Sequence, residues 1–453
     1  MAQIPRLVVA GLSSGVGKTT CMVGLTIALR RRGLKVASFK CGPDYLDPSY
    51  HHRASQQTCH NLDGWIMGQD AILETFQRAS RDADIALIEG VMGLFDGASP
   101  RSPAGSSAEI ARWLQAPVLV TVDASGMART IAAIESGLLH FEPDLPVAGL
   151  ITNFVGSQSH KNLLQEALRQ LPVIGGLPKR PDLAFPERHL GLSTAREQAV
   201  PQAQLEAWAD MVEEWFDIEQ ILEIAGNAPS LPTASDVMEQ PSSTRCRIAY
   251  AWDEAFHFYY EDNLARLRRL GVELVPFSPI HDSRIPDADG LYLGGGYPEL
   301  FATELANNSA MLASIHSFAE RGKPIYGECG GLIYLCESLQ DLDGKTHSML
   351  GLLPGYVTMK DKLQALGYVE VETQDPSFLG DAGTRFRGHQ FRYSTIVMDG
   401  SITESYKLRK RRNQELSREG FRKGQILGSY VHAHWASNPQ ICENFIQACE
   451  AFR

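Results

Sequence analysis

Residues 6–20 read RLVVAGLSSGVGKTT. Arg6–Ala10 is a short apolar run that suits a strand buried on both faces, and Thr19–Arg31 has the length and composition of a helix. Between them lies a glycine-rich turn. Glycines let backbone N–H groups face inward and cradle phosphate oxygens, and the helix start adds partial positive charge. Gly15, Gly17, Lys18, Thr19 and Thr20 are therefore expected to bind the phosphates of ATP. Lys18 reaches the β- and γ-phosphates, and the Thr19 hydroxyl faces Mg²⁺. Five residues, not four, separate Gly11 from Gly17, so the loop is a stretched variant of the usual spacing. A strand-to-helix turn without nucleotide is the bland alternative. It explains neither the lysine nor the threonine.

Outward from this loop the same grammar repeats. Val36–Phe39, Ile85–Ile88, Val118–Val122 and Val147–Thr152 are strand-like and are separated by helix-length segments. That alternation predicts a parallel sheet covered by helices on both sides. It stops in GNAPSLPTASDVMEQPSST, residues 226–244, whose prolines, serines and threonines read as a linker. It restarts with Arg247–Ala251, Glu273–Pro276, Gly290–Leu293 and Pro324–Tyr326. Two α/β domains are expected, 1–225 and 245–453.

Composition sets the outer limits. The chain has 453 residues, 44% of them apolar, and carries a net charge of −11. Without a Lys/Arg block it is a poor match to nucleic acid. No apolar run of about 18 residues exists to span a membrane. Eight cysteines form no C-x-x-C pair, which suits a cytoplasmic protein with reduced thiols.

Two more loops leave strand ends at the edge where such sheets place their chemistry. One is KCGPDYLD, residues 40–47, with Asp44 and Asp47. The other is EGVMGLFD, residues 89–96, with Glu89 and Asp96. Glu89, at the end of an apolar strand, is the natural partner for Mg²⁺ held by Thr19. Capping and turn roles compete for each acid singly.

In the second half, PIYGECGGLIY (residues 324–334) reads as strand, sharp turn and helix, with Cys329 at the turn. That is a nucleophile elbow carrying sulfur, and the helix start is expected to lower the thiol pKa. A thiol nucleophile needs a base close in space. His432 in GSYVHAHW (residues 428–435) is the first choice and His434 the alternative. The glycine-rich loop 294–296 after GLYL, with Gly330 behind the thiol, can offer oxyanion-binding amides; Gly295, Gly296 and Gly330 are the candidates. A metal held by the His-x-His pair lacks an obvious third ligand.

Together GLSSGVGKTT, KCGPDYLDP, NLDGW, IEGVMGLFDG, GGGYPE, YGECGGLIYL, RGHQFRYS and SYVHAHWASNP resemble the glutamine amidotransferases of cobalamin biosynthesis, most closely the cobyrinic acid a,c-diamide synthases. The resemblance covers nearly the whole chain. It implies an N-terminal domain similar to dethiobiotin synthetase, a P-loop fold, and a C-terminal class I glutamine amidotransferase domain. The implied activity is that of a carbon–nitrogen ligase. ATP phosphorylates the c and a acetate carboxylates of cobyrinic acid or a related tetrapyrrole, and ammonia from L-glutamine displaces the phosphate. It further implies that Asp47 and Glu89 serve metal, that Asp44, Tyr45, Leu46, Asp47 and Asp96 face the substrate, and that Asn153 contacts adenine. His434 stands where many class I amidotransferases carry an orienting glutamate. Gln390 and Arg392 replace the usual Glu and His of RGHQFRYS. Hydrogenobyrinic acid or a nickel sirohydrochlorin would suit the same residues. A nucleotide-switch protein of the partitioning kind would not need Cys329. Oligomeric state, a homodimer included, is not written in these motifs.

Overall fold

The computed structural model describes residues 4–185, 200–232 and 243–453. The chain forms two compact units, residues 1–237 and 238–453. Among the described residues no helix is long and apolar enough to cross a membrane.

Among the described residues the first unit is built on seven strands: β1 (Arg6–Gly11), β2 (Val36–Cys41), β3 (His60–Leu62), β4 (Ile85–Glu89), β5 (Val118–Asp123), β6 (Val147–Asn153) and β7 (Val173–Gly175). All neighbours are parallel, in the order β3-β2-β4-β1-β5-β6-β7. Every residue of β1, β2 and β4 is buried, as strands covered on both faces require. The two three-residue strands, β3 and β7, escape a periodicity reading because they are too short to show one. Helix α1 (Lys18–Arg31) packs against Gln202–Trp215, and a Cβ on Gly24 would lie 2.7 Å from the Trp208 carbonyl oxygen. Only glycine permits that approach.

The order places β4 and β5 on either side of β1, so the loops leaving β1 and β4 emerge side by side. Register then decides who meets whom: Lys40 on β2 is directly opposite Glu89 on β4. Residues 226–232, the start of the expected linker, pack on this unit. Ala228 and Leu231 are buried, and the Pro229 carbonyl accepts from Arg6. Residues 233–242 of that stretch lie outside the described residues.

Among the described residues the second unit has a ten-stranded sheet. Val272–Phe277, Cys246–Ala251, Gly290–Leu293, Ile325–Glu328 and Ile426–Ser429 are parallel and adjacent in that order. Beyond them the sheet continues antiparallel through Leu416–Lys423, Thr403–Lys410, Ala365–Thr373 and Arg385–Arg392, to His432–Ala433. A separate four-stranded sheet includes Cys336–Gln340 and Leu353–Met359. Core clusters cover the main sheet on both faces.

Candidate functional site

The loop after β1 is bent by Gly15 and Gly17 at φ 80° and 88°, left-handed values that an L side chain rarely adopts. Helix α1 starts at Lys18. The Lys18 ammonium donates to the carbonyls of Ser13 and Met92, both at 2.8 Å. Burial, with Lys40 nearby, brings its pKa down to about 8. Met92 itself is exposed and sits at φ 50°.

Behind this lysine lies a buried network. Thr19 Oγ1 donates to Glu89 Oε1 at 2.8 Å. Lys40 Nζ donates to the same oxygen at 2.8 Å and reaches Asp47 Oδ2 at 2.7 Å. His51 Nε2 meets Glu89 Oε2 at 2.5 Å. Burial opposes the charge on Glu89, but Lys40 and His51 outweigh it and hold its carboxyl below the ordinary value. Burial likewise opposes the Lys40 ammonium, and Asp47 with Glu89 overcomes it, leaving Lys40 above the usual lysine range. His51 was not singled out from sequence. Its signal was the spacing from Asp47, four residues along helix α2 (Asp47–Ser55), which puts both on one face.

The remaining residues named for this end have definite partners. Asp44 Oδ1 accepts from the amides of Leu46 and Asp47, shaping the loop before α2. Tyr45 is half-buried and Leu46 buried. Asp96 Oδ2 accepts from Gly93 N at 2.9 Å and so folds the loop after β4. Asn153 is buried at the end of β6. It donates to the Val16 carbonyl at 2.8 Å and accepts from Leu177 N, bracing the phosphate loop. Thr20 lies half-buried in the first turn of α1. Among the described residues no group of three or more His, Cys, Asp or Glu is arranged to hold a metal.

In the second unit Cys329 ends the strand Ile325–Glu328 and precedes the helix Gly330–Leu335. Its φ of 47° and ψ of −99° mark a sharp elbow, the kind of strain found at functional positions. Its amide donates to Ser429 O at 2.7 Å, and its Sγ lies 3.8 Å from the Phe391 carbonyl oxygen in RGHQFRYS. Burial, with Glu299 nearby, pushes the thiol up to about 12. The Gly330 amide at the helix start does pull the thiol down, as expected, but burial outweighs it. The helix has six residues and a small dipole, and desolvation wins.

His432 packs its ring on the glycine loop: a Cβ on Gly295 would sit 2.4 Å from His432 Cε1. A Cβ on Gly330 would sit 3.0 Å from Gly296 N. Elbow, glycine loop and imidazole therefore converge. Burial, with His389 opposite it in register, pushes His432 down to about 3. His434 turns elsewhere, with its ring centroid 4.6 Å from that of Tyr260 and its Nδ1 accepting from Ala436 N. Gln390 donates to Glu419 Oε2, and the Arg392 guanidinium stacks 4.3 Å over Tyr430. Glu328 and Glu419, both buried and pushed up to about 7 by burial, were not singled out from sequence.

Comparison with known proteins finds two family models that match different parts of the chain. Residues 7–192 match the CobQ/CobB/MinD/ParA nucleotide binding domain, and 247–440 match the CobB/CobQ-like glutamine amidotransferase domain. A cobyrinate a,c-diamide synthase of Leptospira interrogans is 53% identical over 99% of both chains. Those of Syntrophotalea carbinolica and Dehalococcoides mccartyi are 46% and 44% identical, over 98% and 99% of both chains. ATP use fits the first domain and glutamine-dependent amidation the second. The chain belongs to the cobyrinate a,c-diamide synthase family of glutamine amidotransferases.

Proposed function

We propose that this chain converts cobyrinic acid to its a,c-diamide with ATP and L-glutamine, using Lys18, Thr19, Glu89 and Asp47 in the first unit and Cys329 with His432 in the second. The observation that carries it is the pairing, in one chain, of a phosphate loop backed by a buried Lys40–Glu89–Thr19 network with a cysteine elbow converging on a histidine.

In the glutaminase step Cys329 Sγ attacks the carboxamide carbon of glutamine. Its proton passes by way of His432 to the departing nitrogen, which leaves as ammonia. The amides of Gly295, Gly296 and Gly330 receive the oxyanion. Water then cleaves the thioester, releasing glutamate and the thiol. Burial raises the thiol to about 12 and lowers the imidazole to about 3, which favours a neutral pair before glutamine binds.

In the synthetase step a substrate carboxylate attacks the γ-phosphorus of ATP, giving an acyl phosphate and ADP. Ammonia displaces inorganic phosphate and forms the amide. Lys18 neutralises phosphate charge, and Asn153 keeps the loop shaped for it. Thr19 donates its hydroxyl proton to Glu89, which leaves oxygen lone pairs for a hard cation. Thr19, Glu89 and Asp47 would hold Mg²⁺, which supplies charge neutralisation on the transferred phosphoryl group. In this reading the 44–47 loop and Asp96 face the macrocycle carboxylates. All eight cysteines are free thiols, which supports residence in the cytoplasm.

The test is mass spectrometry of cobyrinic acid incubated with the protein, MgATP and glutamine. The diamide is expected only in the full mixture. Cys329→Ala should abolish the glutamine-dependent product and keep the ammonia-dependent one. Equal loss of both would sink the two-site reading.

A further inference from the structure

Glu328 immediately precedes the nucleophile and is buried. Its Oε1 accepts from Tyr326 OH at 2.8 Å and from the backbone amide of Ala433 at 3.1 Å, and its Oε2 accepts from Tyr292 OH at 2.9 Å. Ala433 follows His432. The other backbone group of Ala433, its carbonyl, accepts from Asn263 Nδ2 at 2.8 Å, and the same carboxamide accepts from Trp435 N. On its opposite side the 432–434 segment pairs with Arg385–Arg392, His432 opposite His389. One side of this short segment is thus held by a sheet ladder and the other by two buried side chains.

We propose that Glu328 is a positioning residue for the glutaminase half-reaction: it fixes the Ala433 N–H, and with it the His432 ring, relative to the thiol on the next residue. The inference rests on the Cys329–His432 reading above. Position 434, where an orienting acid would touch the histidine ring, holds a histidine packed on Tyr260. Glu328 supplies the acid from the nucleophile's own strand and acts on the backbone instead of the ring. The thiol and its base are then tied to one carboxylate, so a shift of either strand moves both together. Two tyrosine hydroxyls fix the carboxylate in turn, and each of them can rotate to accept instead of donate. The Ala433 N–H cannot; it needs an acceptor oxygen.

That asymmetry sets the test, which reads kcat and KM for glutamine hydrolysis by the full chain, with ammonia-dependent amidation alongside. Glu328→Gln keeps an acceptor oxygen at the same reach and should stay within about fivefold of wild type. Glu328→Asp keeps the charge but is shorter by about 1.5 Å, one C–C bond, too short to hold Ala433 N. Its kcat should fall roughly fifty- to a hundredfold, the scale of a small misplacement of a reacting group, with KM within about threefold and ammonia-dependent turnover unchanged. The reverse order, Asp active and Gln inactive, would mean that charge matters and not position, and would overturn the proposal. Full activity in both or loss in both would overturn it too. If the Asp variant does not fold, Glu328→Met takes its place, and full activity there has the same meaning. A wild-type chain that never hydrolyses glutamine would instead defeat the Cys329–His432 reading itself.

Discussion

Lys40 offers the sharpest test of how the first unit is held. Its ammonium sits between two carboxylates, 2.8 Å from Glu89 and 2.7 Å from Asp47, and donates also to the Gly90 carbonyl at 3.2 Å. All three side chains are buried. Lys40→Met keeps the length and apolar stem and deletes the charge, leaving two acids buried without the cation between them. Removing one partner of a buried pair costs about 3–5 kcal/mol. Hydrogen exchange of amides in α1 and β2, which reports this unit separately, should accelerate by roughly two to three and a half decades, at about 1.4 kcal/mol per decade. The pH dependence has a definite sign. In the wild type Glu89 is held below its ordinary pKa, so its stabilisation is full above the unfolded value, near 4.3, and is lost as pH falls through the folded value. In the variant burial raises both acids once Lys40 is gone, although Glu89 keeps Thr19 and His51. Their penalty is full at neutral pH and disappears as they protonate. The gap between the two proteins is therefore widest at neutral pH and narrows below about pH 5. Lys40→Met/Glu89→Gln should recover at least half of the loss. Exchange within fivefold of wild type in the single variant would refute the reasoning.

Two further outcomes follow from the second unit. Gly295→Ala places a methyl 2.4 Å from His432 Cε1, so glutamine-dependent kcat should fall by about a hundredfold with the ammonia-dependent reaction intact; an unchanged kcat would show that the imidazole does not need that surface. Iodoacetamide labelling of Cys329 should rise about tenfold per pH unit from pH 7 to 9 without a plateau, because only the thiolate reacts and burial holds the thiol near 12. A plateau near neutral pH would mean a preformed thiolate.

The parallel strands were legible because each is apolar on both faces and bounded by loop chemistry. Arg6–Gly11, Ile85–Glu89 and Gly290–Leu293 fall within a residue of their expected limits. The antiparallel half of the second sheet was not read. In Ala365–Thr373 the half-buried Glu370 and Glu372 interrupt the buried Val369, Val371 and Thr373, and Leu416–Lys423 carries Arg418, Glu419, Arg422 and Lys423, so no apolar block announces either. Residues that carry their chemistry inside a motif, such as Lys18 and Cys329, stand out in one dimension. Glu328 was visible as a letter in GECGG, but its meaning depends on Tyr292 and Ala433, 36 and 105 residues away. His51 depends on Glu89 in the same way, across 38 residues. Register between strands, which brings Lys40 opposite Glu89, has no local signature.

Arg6 stands first in the central strand, and its guanidinium is buried among carbonyls of Ile4, Leu114, Gln115 and Pro229. The last of these lies 223 residues downstream. At roughly 5–20 residues per second of synthesis, the arginine waits about ten to forty-five seconds for its final acceptor. Until then the charged group must stay hydrated, because sealing it unpaired is costly. The first strand of this sheet in chain order is thus among the last to be closed. A nascent chain lacking Pro229 keeps β1 open at its Arg6 end, the end opposite the one that carries the phosphate loop.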